Sequence, residues 1–276
     1  MTGKRSAPAD GMIDTLAGLG DLRVWSVIIT IFGDSVLPRG GTVAATTLAQ
    51  ITERMGIKPE ALRVALYRLA RDGWIVRSKH GRHSYYRLSP EGIAEFAPAT
   101  RRIYARAPAM HGPWQLAAAE PAPQAERDAL ARAMTRAGHI EIAPGLYLGS
   151  AGSSTPAGAD LVRLRGELDT LPDWVRARLG PAALAADYAR LEEALAACRD
   201  ALGTGPPPCP RAAITLRTLV IHRWRRLLLR HPDLPANFFP EGWPGERCRA
   251  HVLALHAALS PPAEAWLDEA FGPAPR

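Results

Sequence analysis

The sequence predicts an α+β protein in three parts: an N-terminal winged helix-turn-helix, a small central ferredoxin-like (Cas2-like) α/β domain and a C-terminal helical domain. Three observations carry this. Residues 58–88 run from a short arginine-rich helix through Arg71-Asp72-Gly73-Trp74 into two β-prone stretches joined at His80-Gly81-Arg82-His83. Residues 114–165 read strand, helix, strand, strand, strand. From Pro172 onward the apolar spacing is helical. With 276 residues, 47% of them hydrophobic, the chain can build two or three cored domains. The expected bounds are a flexible arm over 1–20, the winged helix with a connector helix over 21–106, the central domain over 107–170 and the helical domain over 171–276.

The first twenty residues are rich in Gly, Ala and Asp and lack the apolar core of a signal peptide. Val24 to Phe32 is the longest apolar run, too short to span a bilayer, and suits a buried first helix. Thr47-Leu48-Ala49-Gln50 has capping-box spacing, and Leu48, Ile51 and Met55 continue a short amphipathic helix stopping at Gly56. After that break Pro59 fits a first helical position and Gly73 the position just past the end. Between them Leu62, Ala65, Leu66 and Leu69 draw one apolar stripe.

The opposite face of that helix carries Glu60, Val64, Tyr67, Arg68 and Arg71, with Arg63 at its edge. A solvated face has no use for both Val64 and Tyr67. A helix in a major groove can set them against thymine methyls, beside arginines that read guanine. Trp74 to Lys79 and Ser84 to Leu88 then form a hairpin whose tip offers Lys79, His80, Arg82 and His83. Arg77 and Arg87 point outward together if Trp74, Val76, Tyr86 and Leu88 point inward. The charge follows this segment: residues 54–106 carry a net +8, residues 1–53 carry −1, and residues 107–276 balance. A localised positive patch is the electrostatic footprint of a nucleic-acid site. Lys58, Arg63, Val64, Tyr67, Arg68, Arg71, Arg77, Lys79, Arg82 and His83 are the candidate DNA-binding residues, the partner being double-stranded DNA.

Ser89-Pro90-Glu91 caps a connector helix running to about Tyr104, and Arg101, Arg102 and Arg106 lie at its end. Strands are expected at Trp114 to Ala119, His139 to Ile142, Gly145 to Gly149 and Leu161 to Arg165. A helix is expected from Gln124 to Ala137, and a loop from Gly149 to Gly158. Later helices are expected near 184–202, 211–230 and 246–259, with a last short one around 263–270. The odd set Cys198, Cys209 and Cys248 has no CxxC spacing, which argues against a disulfide framework and suits a cytoplasmic protein. Cys248, His251 and His256 give at most two metal ligands on one helix face, so neither a metal nor another cofactor is expected. No phosphate loop, HExxH or GxSxG occurs, and the chain reads as a non-enzyme. A nuclease carried on the winged helix is the rival reading. It would need a metal held by carboxylates such as Glu141, Asp160, Glu167 and Asp169.

Beyond these readings, the chain resembles the PaaX family, the transcriptional repressors of phenylacetic acid catabolism. In the N-terminal part the resemblance rests on Ser26 to Asp34, Leu62-Arg63, Arg68-Leu69, Arg71 to Trp74, Gly81-Arg82 and Ser84 to Leu88. More specific are Leu219-Val-Ile-His-Arg-Trp-Arg-Arg226, Pro232-Asp-Leu-Pro235 and Pro240-Glu-Gly-Trp-Pro-Gly245. The chain departs from the family pattern at His231, where an acidic residue is usual, and at Tyr67, where a small polar one is. The resemblance implies a homodimer on a palindromic operator, released by an acyl-CoA effector such as phenylacetyl-CoA. Arg101, Arg102, Trp114, His222, Trp224, Arg225 and Arg226 supply the cationic, stacking and apolar types such a ligand needs. For Trp224 and Trp243 core packing is the alternative, and for Arg101 and Arg102 it is contact with DNA phosphates. The sign of regulation stays open.

Overall fold

The computed structural model describes residues 7–108 and 112–271. These divide into two compact units. One holds residues up to 106 with 187–229 and 244 onward; the other holds 107–186 with 230–243. No helix among the described residues is long and apolar enough to cross a membrane.

The first unit opens on a helix where an arm was expected: α1, Ala7–Ala17. Ala9, Met12, Ile13 and Leu16 are all buried, a stripe of helical spacing that Gly11 and the two aspartates, Asp10 and Asp14, disguise in the sequence. Arg223 fixes its C-terminal end, donating to the carbonyls of Leu16, Ala17 and Gly20. Helix α2, Val24–Ile31, is apolar and buried from Ser26 onward, and continues as a π-helical stretch, Phe32–Val36. Gly33 lies there because Phe96 covers it; an added Cβ would stand 1.9 Å from that ring.

Next comes a short strand, β1, Thr42–Ala44, and α3, Ala45–Glu53. Ala44 precedes α3 without a side-chain cap, so Thr47 is a buried position inside the helix and not the expected capping residue. Helix α4, Pro59–Arg71, buries the predicted stripe Leu62, Ala65, Leu66 and Leu69 and ends at Gly73, where φ is 77°. Strands β2, Ile75–His80, and β3, His83–Leu88, close on Gly81-Arg82, and β1 adds to β3 in the order β1-β3-β2. All pairs are antiparallel. Helix α5, Pro90–Tyr104, starts at Ser89, whose hydroxyl accepts from Gly92 N at 2.9 Å and donates to Gly73 O at 2.6 Å.

The C-terminal helices complete this same unit, which corrects the expectation of a separate helical domain over 171–276. They are α8, Ala182–Thr204, which belongs here from Asp187 onward, α9, Pro210–Leu228, and α10, Gly245–Phe271. Helix α9 is buried almost continuously from Ala212 to Trp224, and a helix buried all round needs neighbours on every side. It packs against α1, α2, α3, α5 and α10. Helix α10 also passes through Pro261 and Pro262, where two helices were expected. The buried series Leu255, Leu259, Ala263 and Leu267 continues across the prolines, and Ser260 Oγ donates to His256 O at 2.7 Å beside them.

One buried polar knot ties these helices. The Asp34 carboxylate accepts from Arg217 Nε at 2.9 Å and from Tyr104 Oη at 2.7 Å, and pairs with His256 Nε2 at 3.1 Å. Arg217 also meets Glu264, which pairs in turn with Arg39. Burial alone would raise the Asp34 pKa, but the bond with His256 and the charge of Arg217 hold it below the usual carboxylate value.

In the second unit a four-stranded antiparallel sheet has the order β5-β6-β4-β7. Its strands are β4, Trp114–Ala119, β5, Ile140–Ala143, β6, Leu146–Ser150, and β7, Leu161–Gly166. Helix α6, Gln124–Arg136, crosses between β4 and β5, with β6 inserted between them as in a split β-α-β unit. Ala117, Met134 and Tyr147 form the core under α6. Residues 151–160 connect β6 to β7 without a helix. Residues 171–186 and 230–243 belong to this unit too. Helix α7, Asp173–Leu179, packs on β5, Phe238 lies 4.6 Å from Trp114 ring to ring, and Gly180 fits under Pro240, Phe239 and Trp243.

Candidate nucleic-acid interface

The expected α4 residues emerge on one exposed side. Arg63, Val64, Tyr67, Arg68 and Arg71 are all exposed, Tyr67 to 70% and Val64 to 50%, as is Lys58 just before the helix. That exposure follows from the stripe: with Leu62, Leu66 and Leu69 inward, the 3.6-residue period leaves positions 64, 67, 68 and 71 outward. Arg63 pairs with Glu60 at 2.9 Å and Arg71 with Asp72 at 2.8 Å, both in solvent, where such pairs hold side chains only weakly. Among the described residues Lys58, Arg68, Lys79 and Arg82 have no carboxylate partner, so their charge faces outward uncompensated.

Beyond Ile75, strand β2, the Gly81-Arg82 turn and His83 are exposed, bringing Arg77, Lys79, Arg82 and His83 into the open, whereas Tyr86 and Leu88 of β3 are buried. Its register corrects one expectation. Arg77 lies opposite Tyr86 and Val76 opposite Arg87, so Arg77 and Arg87 occupy opposite faces. Ile75, not Val76, is the buried residue of β2. The alternating pattern failed because only one residue of β2 reaches the core; beyond it the strand leaves the body and alternation carries no signal. Arg77 turns instead toward β3, donating to Ser84 Oγ at 2.8 and 3.3 Å.

Between α4 and the hairpin runs a groove of about 420 Å³. Its floor is small and apolar, including Ala45, Ala49, Leu62 and Leu66, and Arg63, Tyr67 and Arg77 line it as well. Thr46 and Ser84, which sequence reading missed, add hydroxyls to it. The pairing of β1 with β3 helps to hold α3 at this position, and a three-residue strand leaves no legible pattern.

The residues considered for a ligand are dispersed. Trp114 belongs to the second unit, against Phe238. Arg101 is exposed at the end of α5, and Arg102 donates to Leu228 O at 2.8 Å. Trp224 is buried, its Nε1 donating to Ile103 O at 3.0 Å, which makes it a core residue. His222 is fully buried, its Nδ1 3.3 Å from Thr30 Oγ1. Burial, with the fields of Arg223, Arg225 and Arg226, pushes its pKa down to about 3. Arg225 donates to Ser26 O, Ser26 Oγ and Thr30 Oγ1 at 3.0 to 3.3 Å, and Arg226 to Asp21 O at 2.7 Å. His222, Trp224, Arg225 and Arg226 therefore lie on α9 and Arg102 beside it, all in the first unit. Among the described residues no three His, Cys, Asp or Glu side chains group as a metal site would.

Comparison with known proteins gives these residues a context. The solved structure of an uncharacterized protein from Mycobacterium tuberculosis, Rv0674, is similar in fold, with a TM-score of 0.51 at 24% identity, covering 89% of this chain and 99% of that one. The transcriptional repressor PaaX of Escherichia coli (strain K12) is 29% identical over 272 residues, covering 88% of this chain and 83% of the repressor. The pattern of the PaaX-like protein family matches residues 23–92, which contain α2 to the start of α5, and that of the PaaX-like protein C-terminal domain matches residues 181–269. The two matches together span more than half of the sequence, so the chain belongs to the PaaX-like protein family.

Proposed function

We propose that this protein is a cytoplasmic transcriptional repressor, not an enzyme, that grips duplex DNA as a winged helix-turn-helix. Helix α4 enters the major groove, and the β2–β3 hairpin is the wing on the backbone. The observation that carries this is the shared exposure of Arg63, Val64, Tyr67, Arg68 and Arg71 beside a projecting cationic hairpin. The repressor relative and the family match support the same reading. A homodimer would place two such modules in successive major grooves, roughly 34 Å apart, on a palindromic operator. The second unit has the strand order of a ferredoxin-like fold, with a loop in place of its second helix.

The genes controlled are those of aromatic, phenylacetate-type catabolism, and the releasing effector is an aryl-CoA thioester such as phenylacetyl-CoA. Release needs no special device beyond linkage: the effector lowers DNA affinity by as much as it prefers the geometry that does not bind DNA.

Titrating the purified protein with the duplex upstream of its own gene, at several salt concentrations, tests the interface. Arg82→Ala should weaken binding to every duplex and reduce the slope of log affinity against log salt by about 0.9, one phosphate's share. An unchanged affinity and slope would remove the hairpin from the contact surface. No binding by the unaltered protein at low salt would remove the DNA reading altogether.

A further inference from the structure

Helix α9 carries five arginines whose charges are met in two ways. Arg211 reaches Glu53, and Arg217 reaches Asp34 and Glu264. Arg223, Arg225 and Arg226, clustered at the end of the helix, reach only neutral oxygens. These are the carbonyls of Leu16, Ala17 and Gly20 for Arg223, the oxygens of Ser26 and Thr30 for Arg225, and the Asp21 carbonyl for Arg226. The field of the Asp21 carboxylate acts on Arg223, yet among the described residues the two make no ion pair. Elsewhere in the unit Arg39, Arg54 and Arg247 all find carboxylates. The negative end of the α9 dipole offsets about half a charge, against three cations within four residues.

A donor is left over at the same place. Nε of Arg225 is buried and has no hydrogen-bond partner. Arg225 and the neutral His222 ring meet at Thr30 Oγ1, from 3.0 and 3.3 Å, in the seam between α2 and α9. A partly buried guanidinium without a counter-ion and a buried donor without an acceptor are both unfavourable, and one oxyanion relieves both.

We infer that the C-terminal turn of α9 is an oxyanion site, in which Arg225 and Arg226 take a phosphate-type group while Arg225 lets go of Ser26 and Thr30. This rests on the effector reading and deepens it, by naming the group recognised and the helix that responds. Helix α2 packs on α9 with one face and on α4 with another, so loosening the Arg225 bonds disturbs the support of the DNA-reading helix.

The experiment has two readouts on the full-length protein. In calorimetry, pyrophosphate and inorganic phosphate should bind, with Arg225→Gln and Arg226→Gln each weakening binding about tenfold or more, and the exposed Arg199→Gln leaving it unchanged. Arg226 is held by one carbonyl only, so its variant tests the site even if Arg225→Gln perturbs folding. In DNA release, phenylacetyl-CoA and free phenylacetate are compared, which separates a phosphate-bearing ligand from a carboxylate. Absence of phosphate and pyrophosphate binding, or equal binding by the variants, overturns the site. If phenylacetyl-CoA frees DNA from the wild type and both variants at the same concentration, the effector reading stands and the site is overturned. If pyrophosphate binding follows the arginines but no thioester frees DNA, the site stands and the effector reading falls.

Discussion

Tyr67 and Arg82 illustrate two kinds of work expected of single residues at the interface. Tyr67 is 70% exposed on α4 and Arg82 is exposed at the hairpin tip; in the proposed complex Tyr67 would offer a ring and a hydroxyl to base edges and Arg82 its charge to phosphates. Tyr67→Ala should change which bases are preferred, by about 1–3 kcal/mol at the contacted position, while leaving affinity for random duplex nearly intact. Selection from a randomised duplex pool measures this, and an unaltered preference would take Tyr67 off the reading face. Two buried groups set the acid response. His222 is held neutral down to a pKa of about 3, below its ordinary 6.5, so the unfolded chain binds its proton first and stability falls as pH drops from about 6.5 toward 3. Asp34 is shifted down from 3.8, so its contribution is present above that value and lost as pH falls through its lower folded value. Urea midpoints against pH should show His222→Gln flattening the upper window alone. Asp34→Asn should cost about 3–5 kcal/mol near neutrality, because Arg217 loses a buried partner. Of these residues the exposed ones were legible in the sequence through helical phase. Asp34 was not, because its partners lie about 180 residues and more away as well as at Tyr104.

Helix α4 could be read from its letters because proline, stripe and glycine all agree along it. The opposite holds for α1. Its four buried positions are spaced as well as those of α4, but small and acidic residues dilute them and the partner helix is remote. Removing residues 1–20 distinguishes an arm from an integral helix. We expect a fall in thermal midpoint of several degrees or more, since Met12, Ile13 and Leu16 leave the core and Arg223 loses its carbonyls. A truncated protein as stable as the full chain would restore the arm. The hairpin and α10 teach a related lesson. Alternation misplaced β2 because one core residue is too few to set a phase, and Pro261-Pro262 hid the continuity of α10 because packing on α9 outweighs the loss of two N–H donors.

At the scale of the molecule, the sequence yielded most of the helices and strands in order, though not α1, β1 or α7, and did not reveal their grouping. The central sheet could be anticipated from its β-α-β-β opening, since those partners are near in sequence. That α9 would sit among α1, α2, α3 and α5 could not, because helical periodicity says which face is buried and never against what. A fragment of residues 21–106 therefore should not fold as an autonomous domain. Without α9 it loses the cover of the α2 face that carries Ser26 and Thr30 and the Arg217 partner of the Asp34 carboxylate. Circular dichroism and amide dispersion in NMR are expected to show a loosely ordered fragment lacking a cooperative thermal transition. A sharp transition and dispersed spectrum would mean that the N-terminal part is self-sufficient.

The central position of α9 also bears on biosynthesis. A ribosome delivers α4 and its hairpin long before it delivers Pro210–Leu228. At elongation speeds of about 5–20 residues per second, the 122 residues from Arg106 to Leu228 take on the order of ten seconds to appear. During that interval the nascent segment stays without the helix that packs on α1, α2, α3 and α5, and gains that cover only once Leu228 has emerged.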